Sequence, residues 1–322
     1  MARIQNPISL RLAGITKVYS SVIALNDVSL DIRGGEVVGL IGENGAGKST
    51  LMKVLGGAIR PDEGEIVIDG VSMANLTAAR ALSHGIAFVH QELNLFSNLD
   101  VTANVMLGRE IRRGIFIDRK AMEDRVRPLL DMLGTRFGPS DAASELSLAD
   151  QQLLEIARAL STNVRLLILD EPTSSLTLSE TQRLLKVIRL LRDDGVAVLF
   201  ITHRLGEVEE VTDRVVGLRD GRNAGDLCRA EIGKKAMVRL MIGRPVSEFY
   251  EKPDQNRGAV VLEARGCAQP PIRTRASTLH CTVVKSSALR DLWARDVLSL
   301  RAPFLASIRS SKGWSRSREN RF

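Results

Sequence analysis

The chain has 322 residues, 44% of them hydrophobic, 26% charged and 4% aromatic, with a formal net charge of +7. That apolar fraction excludes a disordered chain, the length allows one large domain or two, and no apolar run approaches the roughly 18 residues of a membrane-spanning helix. Residues 274–322 hold ten Lys or Arg against three acids, which leaves 35 basic and 35 acidic residues before them, so the body is neutral, all the excess charge sits after 273, and the +7 does not argue for a nucleic-acid partner.

In chain order, residues 8–12 alternate as a strand does and 24–32 follow in the same style, with Gly34-Gly35 as a turn. The run Val37 to Ile41 reads as a buried strand, Gly42 to Gly47 as a glycine-rich loop, and 49–55 as a helix stopped by Gly56-Gly57. Strands are expected at 65–68 and 85–89. The stretch 92–163 reads as mostly helical, with Met122, Val126, Leu129, Leu130 and Leu133 at helical spacing. Apolar strands return at 166–169 and 196–201, separated by a helix over 179–192, and a late strand covers 215–218. Such alternation predicts a largely parallel sheet with helices on its faces, interrupted by a helical insertion. The opening residues Met1 to Pro7 lack the apolar core of a signal peptide, and Cys228, Cys267 and Cys281 have neither metal-ligand nor disulfide spacing. Both observations predict a reduced, cytoplasmic chain.

The sharpest chemical signal is Gly42-Glu43-Asn44-Gly45-Ala46-Gly47-Lys48-Ser49, which follows a predicted strand and opens a predicted helix. Glycines at this spacing let backbone N–H groups turn inward around phosphate oxygens. Lys48 adds a compact positive charge at the β- and γ-phosphates, Ser49 offers a hydroxyl to Mg²⁺, and Thr50 follows for a further phosphate contact. The bland alternative is a glycine turn before a helix, which the flanking elements argue against. The strand 166–169 ends in Asp170 and Glu171. Asp170 is placed to hold Mg²⁺ through water and Glu171 to polarise an attacking water, an effect typically worth roughly 10²- to 10⁴-fold.

Asp170-Glu-Pro-Thr-Ser-Ser, Gln91 after one strand and Ile201-Thr-His203 after another stand in a fixed order around that loop. The set resembles the nucleotide-binding cassette of ABC transporters over about residues 8–268. The resemblance implies an α/β P-loop NTPase of the ABC cassette type, with a mixed sheet core, an antiparallel β-subdomain and an inserted helical subdomain at about 92–163. It implies ATP and Mg²⁺ as ligands. Tyr19 would stack on the adenine, Gln91 would reach Mg²⁺ and sense the membrane partner, and His203 would contact the γ-phosphate. Ser175-Leu-Thr177 would communicate across a cassette dimer.

One motif departs from the family. The usual Leu-Ser-Gly-Gly-Gln before a helix is here Leu146-Ser147-Leu148-Ala149-Asp150, followed by Gln151-Gln152. Ser147 can still donate to a phosphate bound on an opposing cassette, but Asp150 brings a negative charge beside it, so a weak composite site is expected on that side. With Val89-His-Gln-Glu-Leu93, residues 101–110 and Met241-Ile-Gly-Arg244, this departure resembles the ribose/galactose/xylose-type sugar importers, whose ATPase subunit carries two cassettes in one chain. The implied protein is an ATPase subunit peripheral to the cytoplasmic face of the cell membrane. Its implied partners are a membrane permease, a periplasmic sugar-binding protein reached indirectly, and a second cassette. A soluble ABC ATPase acting on nucleic acid or ribosomes, or a non-functional remnant, are the alternatives.

The cassette is expected over 8–245, with a linker and the first strand of a second cassette over 246–273. From 274 onward the pattern vanishes. A one-base shift of a freely back-translated tail permits a lysine-less phosphate loop, as the second cassette of such importers would have. We therefore expect a frameshift or sequencing error near Arg273–Thr274 and little regular structure after it. The rival reading of the tail is a basic, tryptophan-bearing arm for nucleic acid or membrane.

Overall fold

The computed structural model describes residues 6–90 and 94–243, together with the backbone of two strands further on. The chain forms two compact units, Met1–Glu248 and Phe249–Phe322.

In the first unit β1 (Ser9–Tyr19) and β2 (Val22–Arg33) form a long antiparallel hairpin. β3 (Val37–Ile41), α1 (Lys48–Leu55), β4 (Glu63–Ile68), β5 (Val71–Ser72), α2 (Ala78–Ser83) and β6 (Ile86–Val89) follow. The insertion comprises α3 (Val101–Met106), a short hairpin of β7 (Arg112–Arg113) and β8 (Phe116–Ile117), α4 (Arg119–Leu133) and α5 (Leu148–Leu160). The chain then runs through β9 (Leu166–Asp170), α6 (Leu178–Asp193), β10 (Ala197–Ile201), α7 (Leu205–Val211), β11 (Arg214–Arg219), β12 (Arg222–Cys228) and α8 (Lys234–Ile242). One sheet has the order β2-β1-β4-β5 and is antiparallel. The other has the order β12-β11-β3-β10-β9-β6, parallel except for the β12 edge.

The apolar runs of the central strands have a direct cause. Both faces of the second sheet are covered, so successive residues enter different cores. Leu167 and Leu169 of β9, with Val198 and Phe200 of β10, face a cluster that includes α4, α5 and α6. Leu166, Ile168, Ala197, Leu199 and Ile201 face a second cluster shared with α1 and the antiparallel sheet. Strands buried on both sides lose the polar alternation of a half-exposed strand. In β2, by contrast, Val28, Leu30 and Ile32 alternate with exposed residues. Each fully buried Leu, Ile or Phe contributes about 1.5–3 kcal/mol, so these two clusters hold the strand ends that carry the chemistry.

Several elements differ from the sequence reading. The first strand runs to Tyr19 instead of Leu12, because the hairpin partner extends it through bulges after Leu12. The expected helical stretch contains the β7–β8 hairpin, whose Gly114 has φ +65°. In the second unit β13 (Val260–Cys267) pairs antiparallel with β14 (Ser277–Thr282). For residues after 273 the sequence predicts disorder or weak structure, and β14 is the strand described there.

Candidate functional site

Parallel register brings the ends of three strands together. Leu40 of β3 stands beside Ile201 of β10, and Ile201 beside Asp170 of β9. The loop after β3, the Glu171 turn after β9 and the His203 turn after β10 therefore leave the sheet side by side. Sites at the carboxyl ends of parallel strands are the rule in open α/β sheets.

The glycines of the loop are dictated by crowding and by backbone conformation. A Cβ on Gly42 would overlap the Leu218 carbonyl of β11, and Gly42 is buried. Gly47 has φ +102°, and a Cβ there would stand 2.7 Å from the Ala24 carbonyl of β2. Ala46 is buried and its N–H donates to the Glu43 carbonyl at 3.1 Å, closing the turn, whereas Glu43, Asn44 and Gly45 are exposed. Gly47 caps α1, so Lys48, Ser49 and Thr50 form its first turn, with free backbone N–H groups as every helix start has. Ser49 is exposed and Thr50 half-buried.

Lys48 Nζ donates to the Gly42 and Glu43 carbonyls at 2.8 and 2.9 Å, folded over the loop. Burial lowers its pKa, while the fields of Glu171 and Asp170 act in the opposite direction. Asp170 is shifted upward, first by burial and then by repulsion from Glu171, with His90 and Lys48 opposing. The three charges thus share one local field. Glu171 holds φ +47°, unusual for a residue with a side chain. Its N–H donates to the Ile201 carbonyl at 2.8 Å, which pins the turn to the end of β10. His203 Nδ1 lies 3.1 Å from Glu171 Oε1.

The remaining expected residues are placed differently. Tyr19 is exposed at the tip of the β1–β2 hairpin, with Lys17 Nζ 5.8 Å from its ring centre, and the same hairpin supplies the Ala24 carbonyl that crowds Gly47. Gln91 lies outside the described residues. Ser147 caps α5: its Oγ accepts from the Asp150 N–H at 3.2 Å and donates to Asp150 Oδ2 at 2.8 Å. Asp150 also pairs with Arg183 of α6 at 3.6 Å. Ser147 therefore makes these hydrogen bonds within its own helix start. The Ser175–Thr177 loop ends in a capping box in which Thr177 and Glu180 bond reciprocally. Sequence reasoning missed the Leu218 and Ala24 carbonyls, which only the packing of β11 and β2 reveals, and the polar group of Thr173, Arg204 and Glu207 beside Glu171 and His203.

Among the described residues no group of three or more His, Cys, Asp or Glu side chains could hold a metal ion by itself. The donor set fits Mg²⁺ all the same: a hydroxyl and a carboxylate are hard oxygen donors, and Mg²⁺ usually takes one or two carboxylates plus substrate phosphates. Asp170, held beside Glu171 against mutual repulsion, is a carboxylate whose charge a cation would compensate.

A family model described as ABC transporter matches residues 25–174. The chain is 45% identical over 257 residues to ribose import ATP-binding protein RbsA 1 of Rubrobacter xylanophilus, covering 80% of this chain and 51% of that protein. It is 45% identical over 243 residues to ribose import ATP-binding protein RbsA 2 of Escherichia coli O157:H7, covering 76% and 48%. The chain thus spans about half the length of the curated relatives it matches. Among solved structures it resembles the ADP conformation of MJ1267, an ATP-binding cassette of an ABC transporter, with TM-score 0.66 and 26% identity over 74% of this chain and 100% of that one. It also resembles the dimeric post-hydrolysis state of the cassette MJ0796 bound to ADP and Pi, with TM-score 0.59 and 28% identity over 68% and 98%. Phosphate loop, carboxylate pair and sheet order agree with these matches, and residues 25–174 carry an ABC transporter ATP-binding domain.

Proposed function

We propose that the chain is the ATP-binding and ATP-hydrolysing part of a bacterial monosaccharide importer. The observation that carries the reading is the convergence of Lys48, Asp170, Glu171 and His203 at adjoining strand ends. The loop from Gly42 to Gly47 and the first turn of α1 bind the phosphates, and Lys48 exchanges its loop carbonyls for phosphate oxygens. Ser49, Asp170 and Gln91 would hold Mg²⁺, partly through water, and the ion when bound would neutralise phosphate charge. Glu171 accepts a hydrogen bond from the attacking water and polarises it. His203, beside Glu171, donates to the γ-phosphate, and Tyr19 stacks on the adenine. Coupling to uptake requires a membrane permease fed by a periplasmic sugar-binding protein, with the cassette at the cytoplasmic face of the membrane.

The Ser147–Asp150 start of α5 supports a second element of the proposal. An internal carboxylate already takes the serine hydroxyl and lies in the first helical turn, where a phosphate would otherwise be received. Productive hydrolysis then needs the glycine signature of a second cassette. The test is phosphate release by the full chain, alone and with an added cassette of good signature. Slow release alone and a severalfold rise on mixing support the reading. Equal rates in the two arms contradict it.

A further inference from the structure

Thr173, Arg204 and Glu207 form a polar cluster that the phosphate chemistry leaves unused. Thr173 lies two residues beyond Glu171 and is 1% exposed. Glu207 stands in the first turn of α7 with 11% of its side chain exposed. Thr173 Oγ1 donates to Glu207 Oε2 at 2.6 Å. Arg204, the residue after His203, donates through Nη1 to Glu207 Oε1 at 3.4 Å and through Nη2 to the Ser174 carbonyl at 3.1 Å. A carboxylate held this deep is costly unless paired, and stability alone is a weak reason to keep one, since packed apolar side chains often serve as well.

The cluster spans two loops. One leaves β9 and carries Glu171, and the other leaves β10 and carries His203. Near the sheet they are already joined by the Glu171 N–H to the Ile201 carbonyl at 2.8 Å. The side chains of Glu171 and His203 then meet at 3.1 Å. The Thr173–Glu207–Arg204–Ser174 bonds add a further link between the two loops, and the Arg204 N–H donates to Thr202 Oγ1 at 3.0 Å within the second loop. From this geometry we infer that Glu207 is a positioning residue: it clamps the Thr173–Ser174 turn to the His203–Arg204 turn and so sets the approach of His203 to Glu171. Without the clamp each loop keeps its own strand but loses its register with the other. The nucleotide is still held, because the phosphate loop is not part of this link, and only the chemical step suffers. Reacting groups held in a fixed geometry can lose about 10²-fold in rate from a displacement near 1 Å. The inference rests on the ATPase reading above.

The test uses the full chain and compares steady-state phosphate release, fluorescent-nucleotide binding and melting temperature. Thr173→Val removes the hydroxyl at nearly constant shape, Thr173→Ser retains it, and Glu207→Ala removes the acceptor. Thr173→Val and Glu207→Ala are expected to lower kcat at least tenfold with KM for ATP within twofold. Thr173→Ser is expected to return kcat to within about twofold of the unaltered chain, and the double variant to be no slower than the slower single one. The inference is overturned if Thr173→Val keeps kcat within twofold, if Thr173→Ser is as slow as Thr173→Val, or if KM rises in step with the loss of kcat. Should Glu207→Ala fail to fold, the Val and Ser pair decides. An unaltered chain that binds ATP but releases no phosphate, alone or with an added cassette of good signature, overturns the ATPase reading and the inference with it. Turnover by the unaltered chain with an unaffected Thr173→Val overturns the inference alone.

Discussion

Asp170 shows how a single side chain records what its surroundings are built for. Burial and the neighbouring Glu171 raise its pKa in the folded chain. A carboxyl with a raised folded pKa stabilises the fold only below its unfolded value, near 3.9, and that contribution is lost as pH rises through the folded value. At neutral pH the ionised Asp170 therefore opposes folding. Asp170→Asn should raise the melting temperature at pH 7–8, and the gain should fade as pH falls through the raised folded value and be gone by about pH 4. Thermal scans across that range check it, and a melting temperature lowered at pH 8 would contradict the assignment. The same arrangement explains why the residue suits a divalent cation: positive charge offsets the repulsion from Glu171. Asp170 was legible as a strand-end acid from Leu166 to Asp170 alone. Its field partners were not, because Glu171 turns with a positive φ and Lys48 lies more than a hundred residues earlier.

At the scale of single elements, the start of α5 separates a structural role from a functional one. Ser147 caps the helix through the Asp150 N–H. Loss of such a cap typically costs about 0.5–2 kcal/mol. Ser147→Ala should therefore lower stability by about that amount in denaturant unfolding and leave MgATP binding at Gly42–Thr50 unchanged. A changed affinity with unchanged stability would show that Ser147 serves this chain's own nucleotide instead. The altered signature was readable from Leu146 to Asp150, because each departure from glycine has a local physical meaning. The hydrogen bond between Ser147 and Asp150 was not readable, since two polar residues three apart at a helix start can cap, bond each other or face solvent. The β7–β8 hairpin escaped for a related reason. Its strands are two residues long, too short for any alternation to be seen.

On the scale of the whole molecule, the central strands were the most legible part, because a strand buried on two faces is apolar throughout and its loop follows directly. The antiparallel edge at β12 was not, since Arg222 to Cys228 has mixed polarity and is placed by pairing with β11. The chain covers about half of its ribose-import relatives, and we propose that a shifted reading frame near Arg273–Thr274 replaced the second cassette's sequence. That point lies outside the described residues, between β13 and β14. The central claim concerns the loop and the charges behind it. It is tested most directly by calorimetric titration of MgATP into the unaltered chain and into Lys48→Ala. A charge-assisted contact of this kind is worth about 1.5–3 kcal/mol, so the account predicts that the substitution weakens binding about ten- to a hundredfold. Equal affinity in the two chains would contradict it.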